Sequence, residues 1–170
     1  MTKKRGFTLV ELLVVIAIIA ALAGIGFPLF RSMRGRSQEA ACLNNLRSLG
    51  VAVQSYLQEH QDRLPEMAQG RVSKTEETPV LETILLPYLE SPDAFHCPAD
   101  VKQFSKTGSS YFWNSTQNGK LVSQLSIFGI NDRPDKVPLI YDKEAWHPNK
   151  VNFLYGDLTS ATKFRITTGN

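Results

Sequence analysis

Glu11 is a single carboxylate at the head of an apolar run: Leu12 to Phe30 carries no charged side chain, and Gly6 and Phe7 stand just before it. Burying a charged side chain at a bilayer centre costs on the order of 2.5 to 3.5 kcal/mol even on lenient insertion scales. Near the end of the segment the cost is smaller, yet a plain anchor gains nothing from it, so the residue is expected to have a partner. Phe7 and Glu11 are four apart and share a helix face. A carboxylate in a first helical turn is also favoured by the helix dipole, by about 0.3 to 1 kcal/mol. The chemistry offered here is ion pairing rather than bond-making.

Other chemistry is thinly represented. Ser110, His147 and Asp142 supply the residue types of a nucleophilic trio, but nothing like a nucleophile elbow surrounds the serine. His96-Cys97 and His147 offer too few ligands at no recognised spacing for zinc, and no metal is assigned. Tyr111, Trp113 and Trp146 read as core aromatics before they read as a ligand face. Asn114-Ser115-Thr116 fits a glycosylation acceptor pattern, a short motif that carries little by itself.

Basic residues, then Gly6, then Phe7-Thr8-Leu9-Val10-Glu11 and an apolar helix resemble the N-terminal signature of type IV prepilins and type II secretion pseudopilins. Pro28 matches as well, at a point where many of these proteins carry a proline that kinks the helix. The resemblance implies cleavage after Gly6 by a membrane-embedded prepilin peptidase and N-methylation of the new terminus, Phe7. It also implies that Glu11 pairs with the terminal amine of a neighbouring subunit, making it the assembly contact. An ion pair in lipid would offset the carboxylate's burial cost, although buried pairs are not reliably stabilising in themselves. Glycine at position 6 suits a pocket that must approach the backbone closely. Lys3, Lys4 and Arg5 favour a cytoplasmic N-terminus. The implied partners are other subunits of the filament, an assembly platform protein, an ATPase and the membrane. The implied location is the bacterial inner membrane, single-pass, with the globular part periplasmic, or extracellular if the filament is a pilus.

Three plainer readings compete. A secretory signal would use Ala21-Leu22-Ala23 as its cleavage site but has no use for Glu11 or for Gly6-Phe7-Thr8. A single-span anchor fits the 19 uncharged residues, close to the roughly 20 needed to cross. A membrane-anchored extracytoplasmic binding module that does not polymerise is the alternative function.

Length and composition suggest one domain plus an anchor: 170 residues, 42% apolar and 9% aromatic. The formal charge of +3 comes from the basic leader; without Lys3, Lys4 and Arg5, 16 basic residues face 16 acidic ones. Nucleic-acid binding is therefore not predicted. We divide the chain into a leader (1–6), a transmembrane or filament-core helix (7–30), its amphipathic continuation (31–63) and a globular domain (64–170). Arg31, Arg34 and Arg36 mark the exit from the lipid. Cys42, Leu46, Leu49, Val53 and Tyr56 then recur at helical spacing, with Glu39, Asn44, Asn45, Arg47, Gln54 and Gln58 mostly on other faces. The helix is expected to end near 60–63, before Leu64-Pro65. Residues 80–89 suit a short helix interrupted near Pro87, and 91–106 a loop with one helical turn. Strands are expected at 111–113, 125–130, 137–141, 151–155 and 161–166, the last two joined by a hairpin loop. The fold class is α+β: a long N-terminal helix packed on a small antiparallel sheet, pilin-like.

The run Cys42-Leu43-Asn44-Asn45-Leu46, then Tyr56, Leu64-Pro65 and Cys97-Pro98-Ala99-Asp100, resembles a broad bacterial group of prepilin-like proteins related to the major pseudopilin of type II secretion. That group often ends with a histidine, an apolar strand and an Asp-Gly-small turn. Here His147 precedes 151–155, but the turn reads Gly156-Asp157-Leu158. Related pseudopilins can bind calcium in a C-terminal loop; Asn131, Asp132, Asp135, Asp142 and Asp157 are oxygen donors, without an obvious loop motif. No other cofactor is implied. In an oxidising compartment Cys42 and Cys97 are candidates for a bridge; otherwise Cys42 is a small core residue on the apolar stripe.

Overall fold

The computed structural model describes residues 9–165, apart from the side chains of residues 25, 26 and 28. The basic leader, the expected processing residues Gly6 and Phe7, and the end of the last expected strand at Ile166 lie outside the described residues, as does the side chain of Pro28. The chain divides into two compact units between Gly35 and Arg36. The helix α1, Leu9–Glu59, contributes to both.

In the first unit every described side chain from Leu9 to Arg34 is exposed, including Leu12, Ile16, Ile19, Leu22, Phe27 and Phe30. A helix apolar all round finds its partners in lipid or in other helices. By length and composition this one can cross a membrane.

In the second unit the same helix has a buried stripe. Cys42, Leu46, Leu49, Ala52, Val53 and Leu57 are buried, with Tyr56 packed partly against them. This is the expected stripe, widened by Ala52 and Leu57. α1 ends at Glu59, just short of the expected point, and turns through Gln61 and Asp62, both at φ 58. Gly50 lets the sheet come close: a Cβ there would stand 3.1 Å from Leu154 Cδ1.

Short elements follow: α2 (Leu81–Ile84), a 3-10 turn at Leu86–Tyr88 around Pro87, another at Pro92–Phe95, and α3 (Gln103–Thr107). The segment before α2 has no regular structure but is anchored by Arg71. Its Nε donates to Thr107 O at 2.8 Å and lies 2.9 Å from Glu82 Oε1. The main sheet is antiparallel, ordered β1 (Tyr111–Trp113), β4 (Pro138–Asp142), β5 (Phe153–Tyr155), β6 (Ser160–Ala161). Its register places Tyr111 opposite Asp142, Trp113 opposite Ile140, and Ile140 opposite Leu154. Trp113, Ile140 and Leu154 are fully buried within the core cluster that includes the helix stripe.

Two strand expectations are corrected. Of the described residues in 161–166 only Ala161 is in a strand, as the end of β6, and residues 162–165 leave the ladder. Residues 125–130 are not a single strand but most of a hairpin, β2 (Ser126–Ile127) and β3 (Ile130–Asn131). Phe128 and Gly129 both have positive φ, the two-residue turn that suits a hairpin. The glycine was the signal; the apolar run masked it.

Cys42 and Cys97 are bonded, tying α1 to the loop after Pro92–Phe95. The bond spans 55 residues of sequence, so on the chain-entropy model it stabilises by about 4 kcal/mol. Cys42→Ala/Cys97→Ala is expected to lower the unfolding free energy by about that amount in denaturant titration. Thiol counting on denatured, unreduced protein should find none.

Candidate functional site

Two sites emerge. Glu11 lies in the first turn of α1 among the exposed apolar residues Leu9, Val10, Leu12 and Leu13. An acid at a helix N-terminus on such a surface suits docking against another helix and a cation, and performs no covalent chemistry.

The second site is a buried polar centre built around the Cys42–Cys97 bond. Cys97 is positioned by the sequence Cys97-Pro98-Ala99-Asp100. Asp100 Oδ1 accepts from the backbone N–H groups of Lys102 and Gln103 at 2.8 and 2.7 Å, and Oδ2 from Phe104 N–H at 2.8 Å, capping α3. Ser110 Oγ donates to Asp100 Oδ2 at 2.6 Å and accepts from Cys97 N–H at 3.0 Å. Burial pushes the Asp100 carboxyl up, but these hydrogen bonds outweigh it and hold it below its ordinary value. Asn45 Nδ2 and Gln38 Nε2 of α1 donate to His96 O and Pro98 O, at 2.6 and 3.0 Å, on either side of Cys97.

His147 is buried with its Nε2 3.3 Å from Cys97 Sγ and 3.5 Å from Asp142 Oδ2. Asp142 closes β4 and accepts from Asn152 N–H at 2.7 Å. Burial, with Glu39 adding repulsion, pushes the Asp142 carboxyl up to about 7 against the pull of the Asn152 hydrogen bond. Burial also pushes the His147 imidazolium down, partly countered by Glu39. The separation is within ion-pair reach, but burial opposes charge on both groups. From about pH 7 down to the lowered value of the imidazole, the pair is therefore a neutral acid beside a neutral imidazole.

The centre corrects two sequence readings. Glu39 is not on a solvent face: it is buried one turn before Cys42, with Oε2 accepting from Asn149 Nδ2 at 3.2 Å. Its spacing of three from Cys42 was the available signal. Cys42, Cys97 and His147 do converge, their ligand atoms lying within 4.8 Å of one another, although linear spacing hid it. Asn149 and Asn152 gave no sequence signal, because only the turn after β4 brings them here.

The other candidates do not assemble. His147 and Asp142 are adjacent, but the Ser110 hydroxyl is committed to Asp100 and Cys97, so there is no nucleophilic trio. Among the described residues the oxygens of Asp132, Asp135, Asp142 and Asp157 form no cluster for calcium. Asp135 instead pairs with Arg133 at 2.9 Å, and Asp157 accepts from Thr159 Oγ1 at 2.6 Å. Leu158, at φ 60, occupies the turn position after Asp157 where glycine is the easier residue. Tyr111 and Trp113 are core, and Trp146 packs on it. Asn114 caps a turn, its Oδ1 accepting from Thr116 Oγ1 at 2.7 Å.

The Asp142 shift fixes the sign of a pH effect. The folded chain keeps a proton that the unfolded chain loses near its ordinary value of 3.8. The stability this proton supplies is complete below that value and is lost as pH rises to about 7. Asp142→Asn keeps an acceptor for Asn152 and removes the titration. The unfolding free energy of the variant minus that of the parent should be near zero at pH 4 and climb to about 2 to 4 kcal/mol by pH 8. The opposing His147 contribution, shared by both proteins, largely cancels in this difference.

Residues 1–27 match the family described as the prokaryotic N-terminal methylation motif. The chain is 41% identical over 66 residues to the type IV major pilin protein PilA of Myxococcus xanthus (strain DK1622), covering 39% of this chain and 30% of that one. It is 44% identical over 57 residues to the fimbrial protein EcpB of Eikenella corrodens, with 34% and 36% covered. A fimbrial protein of Pseudomonas aeruginosa is 32% identical over 82 residues, with 46% and 53% covered. The chain thus spans only about a third to a half of these relatives' own length. No solved structure matches it significantly. The methylation motif, the apolar helix it runs into and the pilin and fimbrial relatives together make the N-terminal part of this chain similar to that of type IV prepilins.

Proposed function

We propose that the protein is a structural subunit of a type IV pilus or type II secretion filament, processed by prepilin peptidase after Gly6 and N-methylated at Phe7. The observation that carries this reading is the methylation motif running directly into an exposed apolar helix with Glu11 in its first turn. Such a helix is soluble only in lipid or against others of its kind, so membrane residence and helix bundling are two states of one surface. Within a bundle the helices would form the filament core and the α+β domain its outer surface. Glu11 would then pair with the methylated amine of Phe7 on the next subunit, setting their axial stagger. An assembly ATPase and a platform protein of the inner membrane complete the machinery, and the globular domain lies on the extracytoplasmic side.

Two measurements test this. Glu11→Ala and Glu11→Leu should leave membrane insertion intact while filament incorporation falls roughly tenfold or more, the equivalent of about 1.4 kcal/mol. Unchanged assembly in both variants sinks the subunit model in favour of an anchored, non-polymerising module. N-terminal sequencing of membrane-extracted protein should begin at a methylated Phe7. A start at Met1 or Gly24 overturns the processing.

A further inference from the structure

We propose that the dithiol form of this chain holds one zinc ion between Cys42, Cys97, His147 and Asp142, and that forming the Cys42–Cys97 bond expels it. The inference is independent of the filament role and rests on the buried centre alone. Four separate elements deliver the four groups: α1, the loop before α3, the end of β4 and the turn after it. With Zn–S near ~2.3 Å and Zn–N or Zn–O near ~2.0 to 2.1 Å, a tetrahedral site has edges of roughly 3.3 to 3.8 Å between its ligand atoms. Cys97 Sγ to His147 Nε2 is 3.3 Å and His147 Nε2 to Asp142 Oδ2 is 3.5 Å. Two edges therefore already have close to the required length, and Cys42 Sγ is within 4.8 Å of both the other sulfur and the imidazole nitrogen. Breaking the sulfur–sulfur bond lets the Cys42–Cys97 edge open, and Asp142, which lies outside the three-residue cluster, closes on the sulfurs as the ion seats.

The surroundings are those of a ligand set. Both cysteines are fully buried, and Asp142 and His147 are 2% and 6% exposed. Asp142 Oδ1 and His147 Nδ1 are buried without a hydrogen-bond partner among the described residues. The supporting bonds sit behind the ligands: Asn152 N–H on Asp142 Oδ2, and Ser110 and Asp100 behind Cys97. Such bonds orient first ligands in metal sites.

The chemistry balances. A dithiol reductant supplies two electrons and two protons and becomes a disulfide. A phosphine instead supplies the two electrons and becomes a phosphine oxide, while water supplies the oxygen and the two protons. Either converts the Cys42–Cys97 disulfide to two thiols. Zinc binding displaces the two thiol protons, and the Asp142 proton where it is present, leaving two thiolates, a carboxylate and a neutral imidazole around the ion. A disulfide-bearing oxidant then takes two electrons from the thiolates and two protons from water, becomes a dithiol, and leaves the Cys42–Cys97 bond re-formed and the zinc ion released unchanged in oxidation state. The buried centre thus has two closed states, covalent and metal-held, each tying α1 to the same loop.

The test uses the full chain in detergent, oxidised and phosphine-reduced, titrated with cobalt(II) and zinc(II), with circular dichroism to follow folding. Reduced protein should take up one metal per chain and oxidised protein none. Cobalt should give a thiolate charge-transfer band and intense tetrahedral visible bands, and zinc should raise the melting temperature of the reduced form. His147→Ala should weaken binding by roughly a hundredfold and alter the cobalt spectrum, and Asp142→Asn should reduce the affinity more modestly. If the reduced chain unfolds without metal, zinc should refold it. Equal uptake by both redox forms, failure of zinc to stabilise or refold reduced protein, or a cobalt spectrum unchanged in His147→Ala would each overturn the proposal.

Discussion

The contact on which the globular unit depends is one face of α1 against the antiparallel sheet, locked by the Cys42–Cys97 bond. From Cys42 to Leu57 the helix offers small and medium apolar side chains at helical spacing, and Gly50 removes the side chain that would hold Leu154 away. A four-stranded sheet with strands of only two to five residues depends on having its apolar face covered. It persists because the helix covers its inner face, and the bond fixes where that coverage begins. The long irregular segments between are held by side-chain bonds to backbone, as at Arg71, rather than by ladders.

The same helix obeys two different rules along its length. Up to Arg34 every described side chain is exposed and nearly all are apolar, while from Glu39 onward the exposed positions are polar or charged apart from Ala40, Ala41 and Val51. The change lies close to the division between the two units. It separates a surface that needs lipid or other helices from one whose partner is supplied by its own chain. The prepilin-like motif belongs to the first part, and the globular unit carries a complete core without it.

Around the bond lies an expensive concentration of polar groups. Asp100 meets that cost with hydrogen bonds and stays ionised, whereas Asp142 meets it largely by keeping its proton. Two aspartates in one small centre thus reach opposite protonation states through the number of donors each faces, three backbone N–H groups and a hydroxyl against a single N–H. The Asp100 network also explains why an aspartate should follow Cys97 by three positions. It caps α3 and, through Ser110, holds the cysteine's own backbone.

The long helix, its apolar half, its buried stripe, the α+β class and the edge at Tyr111–Trp113 were legible in the chain. Each is a periodic or compositional pattern expressed within a single element, and such patterns survive without knowledge of neighbours. The hairpin inside 125–130 was misread because a glycine signal was set against apolar residues on both sides. Glu39 was misplaced because a charge on an amphipathic helix ordinarily faces water. Sequence alone determined the apolar helix and its methylation motif, since a motif and an uncharged run need no tertiary partner to be recognised. Only the tertiary structure decided the centre at Cys42, Cys97, Asp142 and His147. Those residues come from elements up to 105 positions apart, and their chemistry depends on burial and distance, which exist only once helix and sheet have met.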